Sequence, residues 1–276
     1  MGKPSELMLR FWGVRGSIPT PAPGHLAFGG NTACVELRLA GETFVIDGGT
    51  GARKLGLCLQ EEFAHIDLKL NLLLSHFHWD HIQGLPFFAP LYRLGNEVTF
   101  YSGRHVEEVR AFLGGQMTNP YFPVNFEFLG AAKHFVELSN SGQKAATVVV
   151  HPFPLNHPQG ATGFRIEVDG SVITHASDLE HGHAKFDNIL RQYAQNADVL
   201  VYDAQYTPEE YESKKGWGHS TWLEATRVAR ECNVKRLVLF HHDPGHDDEC
   251  LRAIESQARL HFENTDAAKE GWEVSL

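Results

Sequence analysis

"SHFHWDHIQG" (residues 75–84) places His76, His78, Asp80 and His81 within six consecutive positions. Folding alone gives no reason for this. Clustered imidazoles repel one another when protonated and fill a core poorly. The residues just before, "KLNLLL" (69–74), are apolar and read as a buried strand, so the cluster stands where a core strand runs out. His76 and His78 are two residues apart, and an extended chain points both to one side. Asp80 and His81 follow a turn and approach from another direction. Neutral imidazole and carboxylate suit zinc, iron or manganese. Two facing groups of such ligands suit two cations held a few ångströms apart.

The rest of the chain bounds what such a site serves. At 276 residues, with 42% hydrophobic and 21% charged residues, it has the composition of an ordinary globular enzyme. A formal charge of −10 argues against stable binding of long nucleic acid, which depends on Lys/Arg neutralising phosphates. It leaves room for a small phosphate ester held by metals. Cys34, Cys58, Cys232 and Cys250 form no CxxC pair and no disulfide framework. The N-terminus lacks a secretory pattern, Gly2 matches a myristoylation signal only loosely, and no apolar run reaches membrane-spanning length. The expectation is a cytoplasmic protein without a membrane partner.

Strand and helix patterns alternate along the whole length. "LMLRFWGV" (7–14), "TACVELRL" and "TFVID" read as strands, the last two joined as a hairpin by "AGE". "GGTGARKLGLCLQEEF" runs from a turn into a helix, and "HIQGLPFFAPLYRL" is helical but broken at Pro86 and Pro90. "EVTFYS" reads as a strand, "HVEEVRAFLG" as a helix, 125–138 as weak strands and "KAATVVVHPF" as one strand. "GFRIEV-DG-SVITHAS" is a hairpin turning on Asp169-Gly170. "FDNILRQYA", "TWLEATRVAREC" and "DDECLRAIESQARL" are helices, separated by the strands "DVLVYDA" and "VKRLVLFH". With no long linker, one α/β (α+β) domain over 1–276 is expected. Two halves of mixed sheet, each followed by helices, suggest a four-layer αββα sandwich.

H-x-H-x-D-H after a buried strand resembles the signature of the metallo-β-lactamase superfamily, and its other parts, one upstream and the rest downstream, stand in order along the chain. "FVIDGGTG" supplies Asp47, "PLNHPQG" His157, "ITHASDLE" Asp178 and "LVLFHHDP" His241 or His242. The resemblance implies a metallo-β-lactamase sandwich with two divalent cations, zinc first and manganese or iron as alternatives. One cation would take His76, His78 and His157. The other would take Asp80, His81 and His241, chosen over His242 because it comes first after the apolar run. Asp178 would bridge them. The pair would acidify a water to serve as nucleophile, beside Asp80. Asp47 would orient a ligand histidine from behind. No other cofactor is expected.

"VYDAQY" (201–206) and "GWGHST" (216–221) resemble the RNase Z and cyclic phosphodiesterase branch, where an acid after a strand pairs with the His of "GHST". Here Asp203 stands where that branch usually has Glu. His219, backed by Asp203, would protonate the leaving alkoxide; the plainer reading is a helix start capped by Ser220. Class B β-lactamases usually have Cys where Asp178 stands, which argues against antibiotic hydrolysis. His157 and Asp178 are only 21 positions apart, too few for the arm with which RNase Z grips tRNA. The expected activity is therefore dinuclear hydrolysis of small phosphodiesters, cyclic nucleotides or related cyclic phosphates. Lactone or thioester hydrolysis and an RNase Z-like ribonuclease are the alternatives. The resemblance also implies a homodimer.

Other residues carry weaker expectations. Arg15, Ser17 and Asn31 flank a Gly-rich loop and either contact phosphate or merely shape a turn. His181 and His183 follow Asp178 and read as solvated, and His175 either faces the site or points away. Phe87, Phe88, Tyr121 and Phe122 read as packing rather than a base-stacking wall.

Overall fold

The computed structural model describes residues 7–39, 41–139, 142–145 and 147–276. Gly2, Ala40 of the "AGE" turn and Ala146 lie outside the described residues. The chain forms two compact units: residues through Gly13 with Asn31–Leu138 and Glu270–Leu276, and Val14–Gly30 with Ser139–Lys269.

The first unit begins with β1 (Met8–Gly13), β2 (Cys34–Leu39), β3 (Glu42–Ile46) and α1 (Gly51–Glu62). β4 (Lys69–Leu74), α2 (Trp79–Ile82), β5 (Glu97–Ser102), α3 (Val106–Gln116) and β6 (Ala132–Glu137) follow. In the second unit come β7 (Gln143–Ala145), β8 (Val148–Leu155), β9 (Ala161–Val168), β10 (Ser171–Ala176), α4 (Ala184–Ala194) and β11 (Val199–Asp203). It continues with α5 (Pro208–Lys214), α6 (Trp222–Glu231), β12 (Arg236–Phe240), α7 (Asp248–His261) and β13 (Thr265–Ala267). β14 (Glu273–Ser275) returns to the first unit.

Each unit is built on a seven-stranded mixed sheet, ordered β14-β1-β2-β3-β4-β5-β6 in the first and β13-β12-β11-β10-β9-β8-β7 in the second. Strands β3, β4, β5 and β6 are parallel, as are β10, β11, β12 and β13. α1 buries Ala52, Leu55 and Leu59, spaced three and four apart, against Val45, Leu72 and Leu74. Leu55 and Leu59 each contribute roughly 1.5–3 kcal/mol by leaving water. In the second unit α6 turns Ala225, Val228 and Ala229, and α7 turns Leu251, Ile254 and Ala258, onto Leu200, Tyr202, Leu237 and Leu239.

The Asp169-Gly170 hairpin forms as expected, with φ of 48° and 83°. "KAATVVVHPF" is not one strand, because Ala145 and Val148 pair antiparallel and make β7 and β8 a hairpin. Of 125–138 only β6 is extended; Phe126–Phe128 forms a 3-10 turn. The break after α2 appears as two 3-10 turns, Leu85–Phe87 and Ala89–Tyr92, each with a proline in its first turn. Thr221, not Ser220, caps α6: its hydroxyl accepts from the Glu224 amide, while Ser220 Oγ contacts His181 and Tyr202. α5 adds to the expected elements; Thr207 and Glu210 close a capping box around its first turn.

Candidate metal centre

In the first unit the donors gather at the carboxyl ends of the adjacent parallel strands β3 and β4. Asp47 follows β3, and Ser75 and His76 follow β4. Asp80 and His81 lie on α2, and the rings of His78 and His81 stand 4.4 and 4.3 Å from that of His76. The chain can turn this tightly because backbone meets backbone behind it. The Gly48 amide donates to His81 O at 2.7 Å, and the Gly84 amide donates to Gly48 O at 2.9 Å. A Cβ on Gly84 would lie 1.9 Å from Gly49 O, so only glycine fits there.

Asp47 is 1% exposed and organises two histidines at once. His81 donates from Nδ1 to Asp47 Oδ2 at 2.8 Å. The Ser75 hydroxyl donates to the same oxygen at 2.7 Å, so its lone pair accepts from His76 Nδ1 at 3.1 Å. The Ser75 amide donates to Asp47 Oδ1 at 2.8 Å. A carboxylate can only accept, so both rings carry their proton on Nδ1 and present Nε2 as a lone pair. The motif "FVIDGGTG" marks Asp47 in the sequence, but no sequence signal marks Ser75 as its relay to His76.

The second unit repeats the arrangement. β10, β11 and β12 are parallel neighbours, with Ala176 opposite Tyr202 and Asp203 opposite Phe240. Their carboxyl ends therefore deliver Asp178, Asp203 and His241 side by side. Asp178 and His241 have φ of 63° and 61°, as Asp47 has 60°, a left-handed conformation that disfavours ordinary side chains. Such backbone persists where surrounding structure enforces it, and it clusters at functional sites.

His241 Nε2 lies 3.3 Å from Asp178 Oδ2, and His157 Nε2 lies 3.8 Å from Asp178 Oδ1. Behind them, His241 donates from Nδ1 to Gln205 Oε1 at 2.9 Å, and His157 donates from Nδ1 to Gly218 O at 2.8 Å. His242 faces elsewhere. Its Nε2 contacts Ala268 O at 3.0 Å, and burial with the nearby Arg15 charge lowers its pKa to about 3. His241, rather than His242, is thus the histidine that meets Asp178.

These donors fit divalent cations. Four imidazoles have Nδ1 engaged by an acceptor, which leaves Nε2 as a lone pair, and three of these nitrogens lie near a carboxylate oxygen: those of His241 and His157 beside Asp178, and that of His81 3.4 Å from Asp80 Oδ2. Ligand atoms sharing a tetrahedral zinc stand roughly 3.3–3.5 Å apart, given bonds near 2.0–2.2 Å. A cation between them turns a lone-pair repulsion into two bonds.

His219 stands next to this set, its ring 5.4 Å from that of His157 and 5.0 Å from that of His241. Its Nδ1 donates to Asp203 Oδ2 at 2.9 Å. The shorter carboxylate reaches because Asp203 is anchored by the amides of Asp178, Gln205 and Ser220. Asp178, Asp203, His219 and His241 all bring a donor atom within 4.8 Å of one another.

Other candidates take structural places. Arg15 is buried and donates to the carbonyls of Gly29, Asp243 and His246, while Asn31 donates to Glu270. Both shape loops. His175 packs edge-on against Phe240, and His183 lies at the start of α4 against Phe186. His181 is not simply solvated: its Nδ1 meets Ser220 Oγ at 2.8 Å, and burial lowers its pKa. Phe88 is fully buried; Phe87 and Tyr121 are exposed. Among the described residues no helix is long and apolar enough to cross a membrane.

Residues 42–242 match the family described as the beta-lactamase superfamily domain, and this stretch contains every donor named above. The chain belongs to the beta-lactamase superfamily. It is an RNase Z-like, metal-dependent hydrolase of that superfamily. It is 25% identical to a ribonuclease Z of Archaeoglobus fulgidus, with 95% of each chain covered. A ribonuclease Z of Bacillus cereus is 23% identical over 88% of this chain and 92% of the relative. The metallo-beta-lactamase fold protein YhfI from Bacillus subtilis superimposes with a TM-score of 0.75 at 17% identity, covering 99% of this chain and all of that one. A diphosphatase of the PhnP family gives a TM-score of 0.70 at 18% identity, covering 98% of this chain and 97% of that one. The fold is the metallo-β-lactamase fold expected from the resemblance, and the donor clusters support binding of divalent metal.

Proposed function

We propose that the protein is a dinuclear metal-dependent phosphodiesterase acting on small phosphodiesters, with cyclic nucleotides or related cyclic phosphates as the first candidates. His76, His78 and His157 would hold one cation; Asp80, His81 and His241 the other; Asp178 both. Bound there, two cations supply Lewis acidity for the phosphoryl oxygens and an acidified water.

The observation that carries the reading is the Asp203–His219 pair beside the donor set. An alkoxide leaving group needs a proton, and imidazole can deliver one near neutral pH. Asp203 accepts from Nδ1 at 2.9 Å and holds the ring, which leaves Nε2 as the atom facing the leaving group. The hairpin between His157 and Asp178 is short, which supports a small substrate over one gripped by an arm. Four free cysteines suit the reducing cytoplasm.

The test is a panel. Zinc-loaded protein is assayed on bis(p-nitrophenyl) phosphate, a 3′,5′-cyclic nucleotide, an acyl lactone and a tRNA precursor. Cleavage of the cyclic nucleotide, whose leaving alkoxide needs a proton, should collapse in His219→Ala with zinc retained, while the aryl ester falls less. Preference for the lactone overturns the reading. A second reading, an RNase Z-like ribonuclease, is favoured by relatives of that name that match over nearly their whole length; efficient cleavage of the tRNA precursor alone would establish it.

A further inference from the structure

Glu180, two residues past Asp178, ties together three segments of the second unit. Its carboxylate accepts from the Gly216 amide at 2.7 Å, the Gly218 amide at 3.0 Å and the Tyr211 hydroxyl at 3.1 Å. Its own amide donates to Asn156 O at 2.7 Å, and Asn156 Nδ2 donates back to Glu180 O at 2.8 Å. The residues so gathered adjoin His157 on one side and His219 on the other.

The segment it holds needs holding. Gly216 and Gly218 have φ of 87° and 88°, and a glycine on each side of Trp217 gives this stretch a freely variable backbone. The carboxylate takes the amides on both sides of Trp217 and so fixes both glycines. Gly218 then presents its carbonyl to His157 Nδ1 at 2.8 Å, and His219 follows directly. There is no slack in this contact: a Cβ on Gly218 would lie 2.5 Å from His157 Nδ1 and 2.3 Å from Pro158 Cδ. Burial and the nearby Glu180 carboxylate push the Tyr211 pKa up to about 12.

We infer that Glu180 is a positioning residue that sets the proton donor His219 and the ligand His157 in one rigid frame. The His219 half of this inference rests on the phosphodiesterase reading; the His157 half rests only on metal binding.

Zinc-loaded, full-length Glu180→Ala and the isosteric Glu180→Gln are compared with the parent protein. The substrates are bis(p-nitrophenyl) phosphate, whose leaving group needs little protonation, and a dinucleoside monophosphate, whose alkoxide needs it. Turnover of the alkyl ester should fall about 10- to 100-fold more than that of the aryl ester in Glu180→Ala, a part of the full general-acid effect. Zinc half-saturation against a chromophoric chelator should rise roughly 3- to 10-fold, less than the loss of a direct histidine partner causes. Glu180→Gln keeps one acceptor for the loop and should fall between. An equal loss on both esters, with zinc affinity unchanged in a folded variant, overturns the inference. If the parent protein cleaves neither ester, the phosphodiesterase reading fails by itself, and zinc competition still decides: unaltered half-saturation in folded Glu180→Gln and Glu180→Ala overturns the frame.

Discussion

Asp47→Asn isolates the tautomer control in the first donor set. Asparagine tolerates the left-handed backbone at this position, where φ is 60°, so the change adds little strain. Its oxygen can keep the Ser75 amide bond of 2.8 Å, but its NH₂ replaces the oxygen that accepts from both Ser75 Oγ and His81 Nδ1. Facing an N–H donor, His81 takes its proton on Nε2 and loses the lone pair for metal. Ser75 must now accept from the introduced amide, so its hydroxyl turns to donate to His76 Nδ1, and that ring flips its tautomer as well. Loss of such an outer partner typically costs 10- to 100-fold in metal affinity, or about 1.4–2.7 kcal/mol per ion. In the proposed assignment His76 and His81 serve different cations, so both equivalents should weaken. The assay is zinc titration by calorimetry with a competing chelator, with circular dichroism confirming the metal-free fold. Two unchanged binding events would refute the claim that Asp47 sets the tautomers. Weakening of one equivalent alone would refute the serine relay.

Three further outcomes test the fold around the site. Thr221→Ala removes the acceptor for the Glu224 amide and should cost about 1 kcal/mol in denaturant unfolding, whereas a cap at Ser220 would leave it neutral. Gly84→Ala forces a Cβ to within 1.9 Å of Gly49 O; the helix carrying Asp80 and His81 must shift, and roughly 1–3 kcal/mol of stability should be lost with weakened zinc binding. Glu62→Gln breaks the paired hydrogen bonds from Arg38, at 2.6 and 2.7 Å. Those bonds, with the Arg38 charge, hold the Glu62 pKa below its ordinary value. A depressed carboxylate pKa stabilises above the unfolded pKa and stops doing so as pH falls through the folded one. The variant should therefore be less stable at neutral pH by roughly 0.2–1 kcal/mol, the range for a partly exposed pair, and the gap should close in acid.

Much of the protein is legible from local pattern. The run "KLNLLL" followed by His76, His78, Asp80 and His81 announces both a buried strand and a cluster of candidate metal donors, because strand burial and the spacing of such donors are properties of neighbouring residues. The Asp169-Gly170 turn is equally local, since two residues with positive φ suffice to reverse the chain. β7 and β8 read as one strand because no Gly or Pro stands between the paired Ala145 and Val148 to mark a reversal.

The donors' identities are thus written in the chain, and tertiary structure decides their partners. Asp47 reaches Ser75 and His81, Gln205 reaches His241, Gly218 reaches His157, and Glu180 holds Gly216 and Gly218, across 28 to 61 positions of sequence. The same register that aligns Asp203 with Phe240 turns His241 toward Asp178 and leaves His242 on Ala268 O. Side-chain chemistry is carried by each residue alone. Which nitrogen of a histidine bears the proton depends on what stands behind the ring, and parallel strands bring that neighbour from far along the chain.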